Sequence, residues 1–137
     1  MKKEIQIRNQ VDDLQHVAAF VEEIADELQL SPELTMNFNL VLEEMVSNVI
    51  FYAYPKENDQ PIILTATSDD DSISFIITDE GRAFDPTARE DADMSVNPAD
   101  RQLGGMGIFI TRQIMDDVTY QRIDGCNILT MTKRLKD

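Results

Sequence analysis

Cysteine and bases are scarce in this chain. A lone Cys126 excludes an internal disulfide and suits a reducing compartment. Lysine and arginine total 12 against 26 acids, a formal charge of −14. Such a field repels nucleic acid and anionic lipid and leaves no basic footprint for a phosphate backbone. A polyanionic ligand such as a nucleotide would have to be held locally, by backbone amides and a metal ion. No stretch approaches the roughly 18 apolar residues of a membrane span. The opening MKKEIQIRNQ carries charge but none of the apolar character of a secretion signal. The expectation is a soluble cytoplasmic protein that binds neither nucleic acid nor membrane. Glycine is also rare, and three of the five glycines fall at positions 104, 105 and 107.

What is present is enough for a core. Hydrophobic residues make up 42% of 137, which suits one domain spanning residues 1–137, with no repeat, linker or low-complexity tract. Alternation predicts strands over 4–8, 62–68, 72–79, 118–123 and 127–133. Helical spacing at Leu14, Val17, Ala18, Val21, Ile24, Ala25 and Leu28 predicts a helix from Asp12 to Leu30. Ser31-Pro32 reads as the cap and first residue of a second helix reaching about Tyr54, where Pro55 stops it. A third helix opens at GGMGIFITRQIMDD. The order β-α-α-β-β-loop-α-β-β implies an α+β two-layer sandwich, three helices on one face of a mostly antiparallel sheet. The polar stretch from Gly81 to Leu103 is long for a connection inside a compact domain, which points to a functional or mobile segment.

Three polar intrusions point to chemistry. In the strand 72–79, parity places Asp79 on the face shared by Ile73, Phe75 and Ile77. A carboxylate there is costly unless a donor meets it, and the exocyclic amine of adenine would serve. The alternative is an acid that merely caps the turn at Gly81. On the second helix the apolar stripe is Phe38, Val41, Leu42, Met45, Val46, Val49 and Ala53. Glu43 and Ser47 fall on its solvent side, whereas Glu44 and Asn48 stack one turn apart on its flank. An amide oxygen suits Mg²⁺ and a neighbouring carboxylate can orient or deprotonate a hydroxyl; a plain solvated edge is the other reading. Finally, Gly104-Gly105-Met106-Gly107 lets backbone amides approach phosphate oxygens at a helix start. No Gly-Lys-Ser/Thr follows, so this is not a Walker loop.

Together these stretches resemble a known family. LEEMVSNVIFYAYP is similar to the N box, DEGRAFDP to the first glycine box and GGMGIFITRQIMDDVTYQR to the second glycine box of the GHKL ATPase superfamily. Within it the chain is most similar to bacterial anti-sigma factor serine kinases. The resemblance implies a Bergerat-type site for ATP and Mg²⁺. Glu44 would be the catalytic base and Asn48 the Mg²⁺ ligand. Asp79 would bind the adenine amine above a turn at Gly81, with Gly105, Met106 and Gly107 around the phosphates. Asn127 falls where relatives often carry threonine beside the adenine aspartate. Ala83 replaces the second glycine of Asp-x-Gly-x-Gly, a change the anti-sigma subgroup shares along with Phe84-Asp85-Pro86.

The implied activity is phosphorylation of a serine or threonine on an anti-anti-sigma (STAS) partner, with a sigma factor as a second partner. A homodimer through the first strand and helix is compatible with the resemblance. An ATP-binding regulatory module without turnover, and a histidine-kinase-type catalytic domain, are the alternatives. The only histidine, His16, sits in the first helix, away from these boxes, and Arg82 and Arg101 border the long loop within reach of phosphate or solvent.

Overall fold

The structure, a computed structural model, describes residues 1–55, 59–88 and 106–135. Strand β1 (Lys2–Arg8) leads through a 3₁₀ turn into helix α1 (Leu14–Leu28) and then α2 (Pro32–Asn48). Strands β2 (Pro61–Ser68) and β3 (Ser72–Asp79) follow, then α3 (Met106–Ile114), β4 (Asp117–Ile123) and β5 (Cys126–Arg134). Every adjacent pair in the sheet, ordered β1-β2-β3-β5-β4, is antiparallel. The fold is α+β, with the helices packed over one face of this sheet.

Local chemistry sets the element ends. The Ser31 hydroxyl accepts from the Leu34 amide at 3.1 Å and Pro32 occupies the first turn of α2, where a missing N–H costs nothing. In the β2–β3 turn Asp69 Oδ1 accepts from the amides of Asp71 and Ser72, at 2.8 and 2.9 Å. Asp124 and Gly125 both take positive φ, 52° and 80°, as the tight β4–β5 hairpin requires. Side chains of alternating residues in β2, β3 and β5 enter the core. There Phe75 meets Phe38 of α2 edge-on, 5.1 Å between ring centroids.

Three expectations need correction. Ala18 is exposed and Phe20 is buried in its stead. Both lie at the rims of the stripe centred on Val17, Val21 and Ile24, and an aromatic ring gains far more than a methyl by turning inward. The second helix also does not continue as α-helix to Tyr54. It ends at Asn48 and passes into a wider π-helical turn, Val49–Ala53. Tyr54 precedes a proline and is held extended, at φ −118° and ψ 141°, so the helix has to unwind before it. The wide turn buries Val49, Ile50 and Ala53 together. Ser47, expected in solvent, is half-buried, while Glu43 is exposed.

Candidate functional site

Asp79 is the last residue of β3 and only 2% exposed. Its strand neighbours are Ile62 on one side and Asn127 on the other. Carboxylate Oδ1 accepts two hydrogen bonds, from the Gly81 amide at 2.8 Å and from Asn127 Nδ2 at 2.9 Å. Asp79 therefore caps the turn at Gly81, and does so from a buried position. Its other oxygen, Oδ2, has no hydrogen bond among the described residues. Burial pushes the carboxyl above its ordinary range, partly offset by the Asn127 and Gly81 hydrogen bonds and by the charge of Arg122.

The turn below Asp79 is fitted to the π-turn. A Cβ on Gly81 would stand 2.4 Å from the Ala53 carbonyl oxygen, so only glycine fits. The same carbonyl accepts from the Arg82 amide at 2.8 Å, and Arg82 Nε donates to the Tyr52 carbonyl at 2.8 Å. A π-turn leaves carbonyls at its end without helical partners, and Arg82 supplies them. Arg82 thus has a structural role at this turn. The Tyr54 hydroxyl accepts from the Glu80 amide at 3.0 Å and donates to the Pro61 carbonyl at 3.3 Å, tying the end of β3 to the start of β2.

Glu44 and Asn48 lie one turn apart on α2, both half-buried. Neither side chain makes a hydrogen bond among the described residues, which leaves the Glu44 carboxylate and the Asn48 amide oxygen available to a ligand. Glu44 packs against the start of α3: a Cβ on Gly107 would meet Glu44 Oε2 at 2.9 Å. Further along α3, Thr111 donates to the Gly107 carbonyl at 2.8 Å. Met106 opens α3, half-buried. Gly104, Gly105 and Arg101 lie outside the described residues.

Asn48, Val49, Asp79, Phe84, Tyr120 and Asn127 all line one cleft, whose free volume is about 10 Å³. Phe84 stacks on Tyr52 of the π-turn, 5.3 Å between centroids, and the segment is tied from the other side where Arg112 donates to the Thr87 carbonyl at 2.7 Å. A roomier groove of about 400 Å³ lies at the opposite end of α2, between Glu22, Asp26, Met36 and Asn39, away from these residues.

Sequence reasoning missed Tyr120 and Arg122. The Tyr120 hydroxyl donates to Asn127 Oδ1, and Arg122 donates to the Gly81 carbonyl at 2.7 Å. His16 is exposed on α1, away from the cleft. No cluster of three or more histidine, cysteine, aspartate or glutamate side chains forms a metal cage among the described residues, and none of the described helices is long and apolar enough to cross a membrane.

Comparison with known proteins gives the family. Residues 7–133 match the family described as histidine kinase-like ATPase domain. The serine/threonine-protein kinase BtrW of Bordetella bronchiseptica is 32% identical over 113 residues, covering 82% of this chain and 80% of that protein. The serine-protein kinase RsbW of Staphylococcus aureus is 30% identical over 105 residues, 71% of this chain and 64% of that one. In fold, the chain superposes over 98% of its length on a structure of the RsbU and RsbW domains of Rv1364c from Mycobacterium tuberculosis, with a TM-score of 0.70, 15% identity and 32% of that longer chain covered. A match across nearly the whole sequence, and an inward acid, a free amide and a fitted glycine turn in the expected order, lead to one conclusion: this chain belongs to the histidine kinase-like ATPase (GHKL) family.

Proposed function

We infer that the chain is an ATP-dependent serine/threonine protein kinase of the anti-sigma type. Its substrate is a hydroxyl on an anti-anti-sigma (STAS) protein, and a sigma factor is its second partner. The observation that carries this reading is the convergence of Asp79 and Asn48 on one cleft, with Glu44 a turn away. The residues fit the ligands. The second oxygen of a buried carboxylate suits the amino group of adenine, a donor that a guanine carbonyl lacks. Asn48 offers one oxygen to Mg²⁺, an ion that keeps several waters and takes the rest of its shell from phosphates. When bound, Mg²⁺ neutralises charge on the transferring phosphate.

The chain's own residues then divide the work. Asp79 reads the base, and Asn48 orients the metal end of the cleft. Glu44, pressed against Gly107, accepts the proton of the incoming hydroxyl and aligns it. The glycines before α3 let amides approach the phosphates. A purine does not fit in about 10 Å³. Nucleotide entry therefore requires side chains that line the cleft to move aside, and the Phe84 ring does so by leaving its stack on Tyr52 while its amide stays in place. The site uses backbone dipoles in place of basic side chains, consistent with a chain of charge −14. A cytoplasmic location follows from the activity proposed.

The test is Glu44→Ala with labelled ATP and a STAS partner. Phosphoryl transfer should fall by about 10²–10⁴-fold, as for loss of a general base, while ATP affinity stays within a few fold. Partner phosphorylation at the wild-type rate in this variant refutes the assignment. Acid-stable phosphate on the product supports serine or threonine; acid-labile phosphate indicates a histidine target instead.

A further inference from the structure

We propose that Asn127 positions Asp79 rather than touching the nucleotide, and that Tyr120 holds Asn127 in that role, so that these two residues set the preference for a 6-aminopurine. This deepens the ATP-site reading above and rests on it.

The Asn127 amide is surrounded by groups of fixed polarity. The Phe84 amide, which can only donate, meets Oδ1 at 3.3 Å. The Arg82 carbonyl, which can only accept, meets Nδ2 at 2.8 Å, and Asp79 Oδ1 meets the same nitrogen at 2.9 Å. Only one orientation of the amide satisfies all three. The Tyr120 hydroxyl fills the remaining position on Oδ1. Two donors and two acceptor positions are thus all taken by protein, and at 4% exposure Asn127 has nothing left to offer a base.

The consequence falls on Asp79. A carboxylate turns readily about its terminal torsion, which is broad and two-fold. With Oδ1 pinned by both Gly81 and Asn127, Oδ2 has a fixed direction. A 6-amino group donates to that oxygen, whereas a 6-oxo group meets it lone pair to lone pair. Tyr120 reaches Asn127 diagonally, because Tyr120 pairs with Leu129 and Asn127 with Arg122 along the β4–β5 ladder.

The experiment measures direct binding of ATP and of inosine triphosphate to the full chain by titration calorimetry. Tyr120→Phe, which removes one hydroxyl and little volume, should weaken ATP binding about threefold to tenfold, the scale of one hydrogen bond. Binding of inosine triphosphate should change less than about twofold on the same scale, so discrimination drops. In an Asn127→Leu background, Tyr120→Phe should cost nothing further, since the pair acts as a unit. Unchanged discrimination in both single variants, with ATP still bound, overturns this inference alone. A wild-type chain that binds neither nucleotide overturns the ATP-site reading and this inference together.

Discussion

Asp79 carries a conflict that a single substitution can resolve in either direction. As a buried carboxylate with one oxygen unpartnered among the described residues, it costs the folded state free energy. Asp79→Asn keeps the shape and removes the charge. Its melting temperature should equal or exceed that of the wild type, while ATP affinity falls about 10–100-fold, the worth of a hydrogen bond to a charged group. A paired thermal melt and binding titration checks this; a large loss of stability would show that the ionised form is needed for the fold. The inward face of Asp79 was legible from strand parity, and Glu44 and Asn48 were legible from the angular step of a helix. Tyr120 was not. Its contact follows from the β4–β5 register that the Asp124-Gly125 turn sets, but it is a diagonal one, between residues that are not paired across the ladder. Asn127 could be matched to a position beside the adenine aspartate, yet its exhausted amide emerges only once Phe84, Arg82 and Tyr120 surround it.

At the scale of elements, two glycines make contrasting predictions. Gly81 abuts the backbone of the π-turn, which cannot move without dragging Arg82 and Tyr52 along. Gly81→Ala should therefore destabilise the fold by about 1–3 kcal/mol, the usual range for overpacking. Gly107 abuts mainly the far end of the Glu44 side chain, which can swing aside, and leaves a lesser contact of 3.3 Å to Glu44 Cβ. Gly107→Ala should melt within about 1 kcal/mol of wild type, allowing only for the modest backbone difference between the two residues in a helix. It should nevertheless lower phosphoryl transfer at least tenfold by displacing Glu44. Chemical denaturation of both variants, set beside a kinase assay, separates the two effects. Equal stability losses would mean that Glu44 is held as rigidly as the π-turn. The π-turn itself was hidden in the sequence. Val49 and Ala53 continue an α-helical stripe, and the only local sign of unwinding is Pro55. The strands and hairpins, by contrast, came within a residue or two, because a period of two and short acidic or glycine turns leave few alternatives.

For the whole molecule, the carboxyl groups divide by sign. Asp13, held low by the Arg8 side chain and amide, contributes stability that is present above the ordinary carboxyl value and lost as pH falls through its depressed one. Asp69, with the Asp71 and Ser72 amides, and Asp116, with the Arg134 amide, behave the same way. Asp79 has the opposite sign: its folded value is raised, so the native state binds the proton more tightly and gains stability as pH falls through that value. Relief of self-repulsion in a chain of charge −14 acts in the same direction. Melting temperature should therefore hold or rise slightly as pH drops toward about 4, then collapse below the ordinary aspartate value of about 3.9. A pH series of melts on wild type and Asp79→Asn tests the assignment, since the variant should lose part of the first limb and keep the collapse. Saturation with MgATP at about 100 times its dissociation constant should add about 2.7 kcal/mol at neutral pH, and the gain should shrink as acid protonates Asp79.

The pairing of Asp79 with Asn127 joins positions 48 residues apart, and β5, although interior to the sheet, follows the other four described strands in chain order. Until that strand docks, the acid has lost neither its water nor its freedom to rotate, and no base-reading surface exists. During synthesis the helix that carries Glu44 and Asn48 leaves the ribosome long before the strand that fixes Asp79. A chain cut short before residue 126 would keep Glu44 and Asn48 in sequence, yet it would leave β4 without a neighbour and β3 without one flank, so no cleft would form around them.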